Sequence, residues 1–168
     1  IVVAGHKENL AGRIEILKNK ISPGVYRGSE LKSKVFTRML YNGKFSQFGI
    51  FSYVWGKLFK RSVLYDHQIR VDENIFIGED AACLYPAILS AEVLCILETA
   101  KYHYRQRVDS LNKTEKRTEV HKIETFYNYL KAQFSCSEYK DILIPQLQSF
   151  ALSLLTVRSE CPPSYLQS

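Results

Sequence analysis

Residues 77–91 read IGEDAACLYPAILSA. Two carboxylates, Glu79 and Asp80, stand at the mouth of an otherwise apolar stretch, and Ala81, Leu84, Ile88 and Ala91 fall on one helical stripe. The spacing predicts a helix opening at Asp80, with Pro86 inside it removing one backbone hydrogen bond and bending it. An acidic residue at a helix start satisfies free N–H groups and meets the positive end of the helix dipole, worth about 0.3–1 kcal/mol at an exposed site. The same position suits a general base, held ionised by the helix terminus and aimed at an acceptor hydroxyl. The pair alone does not separate capping from catalysis.

Upstream, residues 48–64 (FGIFSYVWGKLFKRSVL) hold the only tryptophan and fit no single element. Their second part, 54–64, reads as a core segment whose Lys and Arg stems cover apolar surface. The other reading is a wall on which a pyranose ring packs, with Lys57 or Lys60 meeting a phosphate. Downstream, 93–97 and 101–105 read as strands, the second alternating Tyr102 and Tyr104 against His103 and Arg105. YHYRQRVDSLN, 102–112, sets Arg105 and Arg107 near Ser110, a cationic pair able to grip phosphate oxygens bidentately. Its plainer reading is a surface strand with solvated charges, and His103 reads first as structural.

At the start of the chain, residues 1–4 form an apolar run expected to be a strand covered on both faces, and 13–17 a second strand. Ser22-Pro23-Gly24 is a turn. Ser29 suits the N-cap of a helix carrying Leu31, Val35, Met39 and Leu40 and stopped at Asn42-Gly43. Residues 69–71 and 75–77 read as short strands or loop. Beyond Ser110 the pattern is helical. Val120, Ile123, Tyr127, Leu130 and Phe134 share one stripe, and Leu143, Leu147, Phe150, Leu154 and Val157 another, predicting an antiparallel pair with a frayed tail. The chain is therefore α/β over 1–112 and helical over 113–168.

With 168 residues, 46% of them hydrophobic, the chain can bury one sizeable core. It begins at Ile1 in what reads as a mid-fold strand, which suggests a piece of a longer protein. No apolar run approaches the roughly 18 residues of a membrane span, and no signal-peptide pattern is visible. Four cysteines without a Cys-x-x-Cys suggest free thiols and a reducing compartment. The net charge of +6 suits phosphate in any form, but the Lys and Arg residues are dispersed rather than gathered in a stripe. No dinucleotide fingerprint, P-loop, nucleophile elbow or Asp-x-Asp occurs.

The order of WGKLFKRSVL, IGEDAACLYPAILSA, VLCIL and YHYRQRVDSL resembles the second half of family 2 glycosyltransferases, the inverting enzymes of the GT-A fold. The likeness covers roughly residues 50–112, with 1–17 fitting the strands before it. It implies that 1–112 is the acceptor-side, base-bearing half of a GT-A domain, followed by a C-terminal helical segment. Residue by residue, it implies Asp80 as catalytic base and Glu79 as the neighbour orienting acceptor or base. Trp55 and Lys57 fall on the acceptor side, and Arg105 and Arg107 on the diphosphate. Many relatives carry His where Arg107 stands, so a metal contact at that position is open and His103 is only a fallback. A divalent metal, Mg or Mn, is implied on an Asp-x-Asp motif outside this chain.

The partners implied are a nucleotide-diphosphate sugar and a saccharide or lipid-linked acceptor, in surface polysaccharide or glycolipid synthesis, with no nucleic acid. The location implied is cytoplasmic, with peripheral contact at the inner face of the membrane. Without its donor-binding half the chain is expected to be inactive, and an incomplete sheet edge at 1–4 is expected to favour self-association. Two other classes stand beside this reading. One is a basic α/β module for nucleic acid or an anionic membrane, and the other is a helical interaction domain without chemistry. Convergence of Lys57, Arg105 and Arg107 on Asp80 favours the enzyme; a basic face away from Asp80 favours the module. A lipid contact through Lys113, Lys116, Arg117, Lys122 and Lys131 is diluted by Glu115, Glu119 and Glu124.

Overall fold

The computed structural model describes residues 1–10, 13–105 and 120–158, and for Leu10, Val157 and Arg158 the backbone alone. The expectations for Arg107, Ser110 and the tail after 158 lie outside the described residues. The elements are β1 (Val2–Val3), β2 (His6–Leu10), β3 (Arg13–Leu17), β4 (Gly24–Arg27), a π-helical turn (Leu31–Phe36), β5 (Lys57–Leu58) and α1 (Arg61–Gln68). They continue with α2 (Glu79–Leu89), β6 (Val93–Ile96), β7 (Tyr102–Arg105), α3 (Val120–Ser135) and α4 (Lys140–Arg158). The mixed α/β class expected from the sequence is what forms.

Two small mixed sheets share their central chain segments. The first runs β4-β6-β1-β5 and the second β3-β2-β7. β1 lies parallel to β6, and after the Ala4-Gly5 step the same two segments pair again as β2 and β7. Gly5 is required at that step, because a Cβ there would collide with the carbonyl oxygen of Leu17. β1 is flanked on both sides, by β6 and β5, so the first sheet ends at β4 and β5 rather than at residues 1–4.

Helix α2 occupies the centre. Ala81 to Ile88 are buried at every position, which a helix apolar all round demands. Pro86 sits inside it without ending it. Its N-cap is Gly78, in the left-handed region at φ 79°, and neither carboxylate of the first turn makes a capping hydrogen bond. Helices α3 and α4 are not a satellite. Phe126, Leu130, Phe134, Leu143, Leu147 and Phe150 belong to the same core as Val3, Leu84 and Leu94. Val120, expected on the buried stripe of α3, is exposed.

One buried polar residue locks this helical pair onto the rest. Gln146 Nε2 donates to the carbonyl of Phe36 at 2.7 Å, while its Oε1 accepts from the Leu40 and Tyr41 amides at 3.2 and 3.4 Å. The 31–41 segment therefore ends against α4. Its helix is shorter than its stripe predicts: Leu31, Val35, Met39 and Leu40 are all buried, but the π-helical turn closes at Phe36 and the residue before it, Glu30, caps nothing.

Gly78 sets the angle at which α2 enters the core. A Cβ there would lie 2.7 Å from the Phe126 ring, on a backbone that L-residues adopt at about 1–2 kcal/mol. Gly78→Ala is expected to lower stability by about 2 kcal/mol or more in urea titration, the strain and the displaced ring acting together.

Candidate functional site

The site is built on the 50–57 segment, which α2 holds from beneath. The hydroxyl of Tyr85, fully buried, donates to the carbonyl of Ile50 at 3.0 Å. One turn nearer the helix start, Asp80 Oδ2 accepts from the amide of Val54 at 3.1 Å. Both bonds come from one helix, so the segment between them is fixed relative to α2. Asn19 adds a third tie, accepting from the Phe51 amide at 3.0 Å and donating to the Ala4 carbonyl at 3.1 Å.

The segment bends at Ser52 and Val54 and turns at Trp55-Gly56, and the rings of Phe51, Tyr53 and Trp55, at every second residue, gather in one stack. The rings stack: Phe51 on Tyr53 with centroids 5.2 Å apart, and Tyr53 on Trp55 at 3.5 Å and 1° between planes. Trp55 also lies near-parallel to Tyr102 and Tyr104 of β7, at 4.7 and 5.0 Å. His6 stands edge-on to Phe51, Tyr53, Trp55 and Tyr104 and is only 2% exposed. Its Nε2 donates to the carboxylate of Glu8 at 3.1 Å, since a carboxylate only accepts. In that neutral tautomer Nδ1 accepts from the Tyr53 hydroxyl, 2.5 Å away. Burial, and then the Glu8 charge, push the Tyr53 hydroxyl well above the usual phenol range.

Lys57 closes the segment. Its ammonium donates to the carbonyl of Tyr53 and lies 4.4 Å from that residue's ring centroid. Burial pulls its pKa down to about 7, against the charge of Asp80, which favours the protonated form. No ion pair joins the two directly among the described residues. Asp80 is half-buried, and its second oxygen, Oδ1, has no hydrogen-bond partner among the described residues. It borders a cleft of about 180 Å³ lined by Val54, Leu64, Gln68, Glu79, Asp80 and Cys83, with Val71 at its rim. Glu79 is exposed at its mouth. Burial, then the Asp80 charge, raise the Cys83 thiol above its ordinary value.

The sequence-predicted residues thus divide into two groups. Asp80 and Glu79 line one cleft with Val54 of the Trp55 segment, while Lys57, near enough to feel the Asp80 charge, lines a separate cavity beside Tyr102. Trp55 is a rung of the ladder, its stacking partners protein rings, and of these Tyr102 is 40% exposed. Arg105 and His103 do not line the Asp80 cleft. They sit on the outer face of the β3-β2-β7 sheet, where His103 lies opposite Lys7 and Arg105 opposite Asn9. Among the described residues no three His, Cys, Asp or Glu side chains gather as a metal site, at His103 or elsewhere. His6 and Tyr53 carry no motif in the sequence, while Cys83, in an apolar stretch, is the free, buried thiol expected there. The signal for Tyr53 was present, in aromatics at 51, 53 and 55 with the period of an extended chain.

The depressed Lys57 carries a pH signature. Between pH 7 and 10.5 the unfolded chain holds a proton on this lysine that the folded chain has lost, so folding is opposed most below pH 7 and least above 10.5. In urea titrations, Lys57→Met is therefore expected to improve in stability relative to the parent at pH 6, with the gain fading as pH rises through 7–10. An unchanged difference across that range would place the amine in water. No family model, curated protein or solved structure matches the chain, so the geometry of this site stands by itself.

Proposed function

We propose that this chain carries the acceptor-activating half of an inverting sugar transferase that uses a nucleotide-diphosphate sugar. One observation supports the reading above the others. Asp80 presents a half-buried carboxylate to a cleft, with one oxygen engaged by Val54 and the other without a partner. Neither carboxylate caps α2, so the helix-end explanation for the Glu-Asp pair is not realised in hydrogen bonds. A carboxylate fixed through one oxygen can take a proton on the other from an acceptor hydroxyl, while that hydroxyl's oxygen attacks the anomeric carbon and the nucleotide diphosphate departs from the opposite side. Lys57 is the neighbouring cation, its charge set by the contest between burial and Asp80. Glu79, exposed at the mouth of the cleft, is placed to orient the acceptor.

The resemblance puts the donor half and its divalent metal outside these 168 residues, and Arg105, turned away from the cleft, has no part in the proposal. The finer assignment, half of a GT-A domain acting in polysaccharide or glycolipid synthesis, rests on the motif order. A purely helical interaction module is less well supported, because α3 and α4 spend their apolar faces on the common core.

The test is sugar transfer by the longer polypeptide that contains this chain, across a panel of nucleotide sugars. Asp80→Asn keeps an acceptor for the Val54 amide and removes the base. It is expected to lower kcat by about a hundred- to ten-thousandfold with KM little changed, the contribution of a positioned general base. Unaltered transfer would refute the assignment.

A further inference from the structure

The outer face of the β3-β2-β7 sheet is used by nothing described so far. Register fixes its membership: Ile16 lies opposite Lys7, Ile14 opposite Asn9, Lys7 opposite His103 and Asn9 opposite Arg105, and directly opposed residues share a face. Ile14 and Ile16 are 58% and 56% exposed, an unusual state for two isoleucines on one strand. Lys7, His103 and Arg105 stand beside them around a shallow cavity of about 160 Å³, which Glu8 and Tyr104 also line. None of the six residues on this face is acidic, and none of its three basic side chains forms an ion pair among the described residues. The carboxylates of the same strands, Glu8 and Glu15, alternate with these residues, and Glu8, which reaches the cavity's lining, is bonded to His6.

We propose that this face docks the protein on an anionic membrane surface, Lys7, His103 and Arg105 meeting lipid headgroup phosphates while Ile14 and Ile16 enter the apolar boundary. Charge complementarity and the two isoleucines together select this partner. A single-stranded nucleic acid would use aromatic platforms, and none of the six residues of this face is aromatic apart from His103, the tyrosines of β7 being stacked on Trp55. A second copy would pair along the free edge of β3, and antiparallel pairing about its midpoint sets Glu15 against Glu15, which is unfavourable. A membrane meets both halves of the pattern, its headgroups the cations and its acyl boundary the isoleucines. The docking does not rest on sugar transfer; either can fail alone.

The experiment is co-sedimentation of the full chain with vesicles of phosphatidylcholine alone and of phosphatidylcholine and phosphatidylserine in equal parts, at low and high salt. Binding to the mixed vesicles only, weakened by salt, is expected. Lys7→Gln and Arg105→Gln are each expected to reduce partitioning about fivefold, the share of one basic residue near an anionic surface. Ile14→Ser with Ile16→Ser is expected to abolish retention at high salt. Arg105, Ile14 and Ile16 are exposed and Lys7 is half-buried, and an unchanged thermal melt confirms that each variant folds. Equal binding to both vesicle types would overturn the proposal, as would loss of binding through Lys122→Gln and Lys131→Gln on α3 but not through the sheet. So would an effect of the isoleucine substitutions on sedimenting mass alone, or of the Lys7 and Arg105 substitutions on oligonucleotide binding alone.

Discussion

Everything around the candidate site follows from the burial of α2. A helix with eight consecutive buried positions, Ala81 to Ile88, has no solvent face to spare, so sheet, loops and neighbouring helices must enclose it. Enclosure brings a polar cost, since the Tyr85 hydroxyl lies inside with no water to meet. Its bond to the Ile50 carbonyl settles that cost and at the same time anchors the start of the 50–57 segment. Asp80, on the same helix, anchors the middle through the Val54 amide. The position of the 50–57 segment against α2 follows from these two bonds.

The ladder in turn decides the electrostatics. Rings of Phe51, Tyr53 and Trp55, with His6 set edge-on between strands and segment, keep water from the stem of Lys57. An amine in that setting is charged only as far as Asp80 can compensate for lost hydration. The carboxylate thus acts on the amine at a distance, with no ion pair joining the two among the described residues.

The sequence was most legible where pattern and burial agree. The helical stripe from Ala81 to Ile88 and the pair of C-terminal helices announce themselves by spacing, and both form. Residues 48–64 resisted a single reading because they are not one element: ladder, two-residue strand and short helix follow each other, each defined by distant partners. β2 escaped because HKENL carries no alternation of polarity; it is a strand because β3 and β7 flank it. The alternation of Tyr102 and Tyr104 against His103 and Arg105 was visible, but its consequence was not. Which side meets Trp55 and which meets water depends on a register with β2 across nearly the whole α/β part, and that register turned the arginine away from Asp80.

The lone indole of the chain is also its natural reporter. Trp55 lies parallel to three tyrosine rings and edge-on to an imidazole, so its excited state couples to neighbours that hold their geometry only while the 50–57 segment stays attached to α2. Emission and near-ultraviolet dichroism of this residue therefore register the integrity of the ladder itself, and a ligand settling against Tyr102 announces its arrival as a change of colour with no label attached.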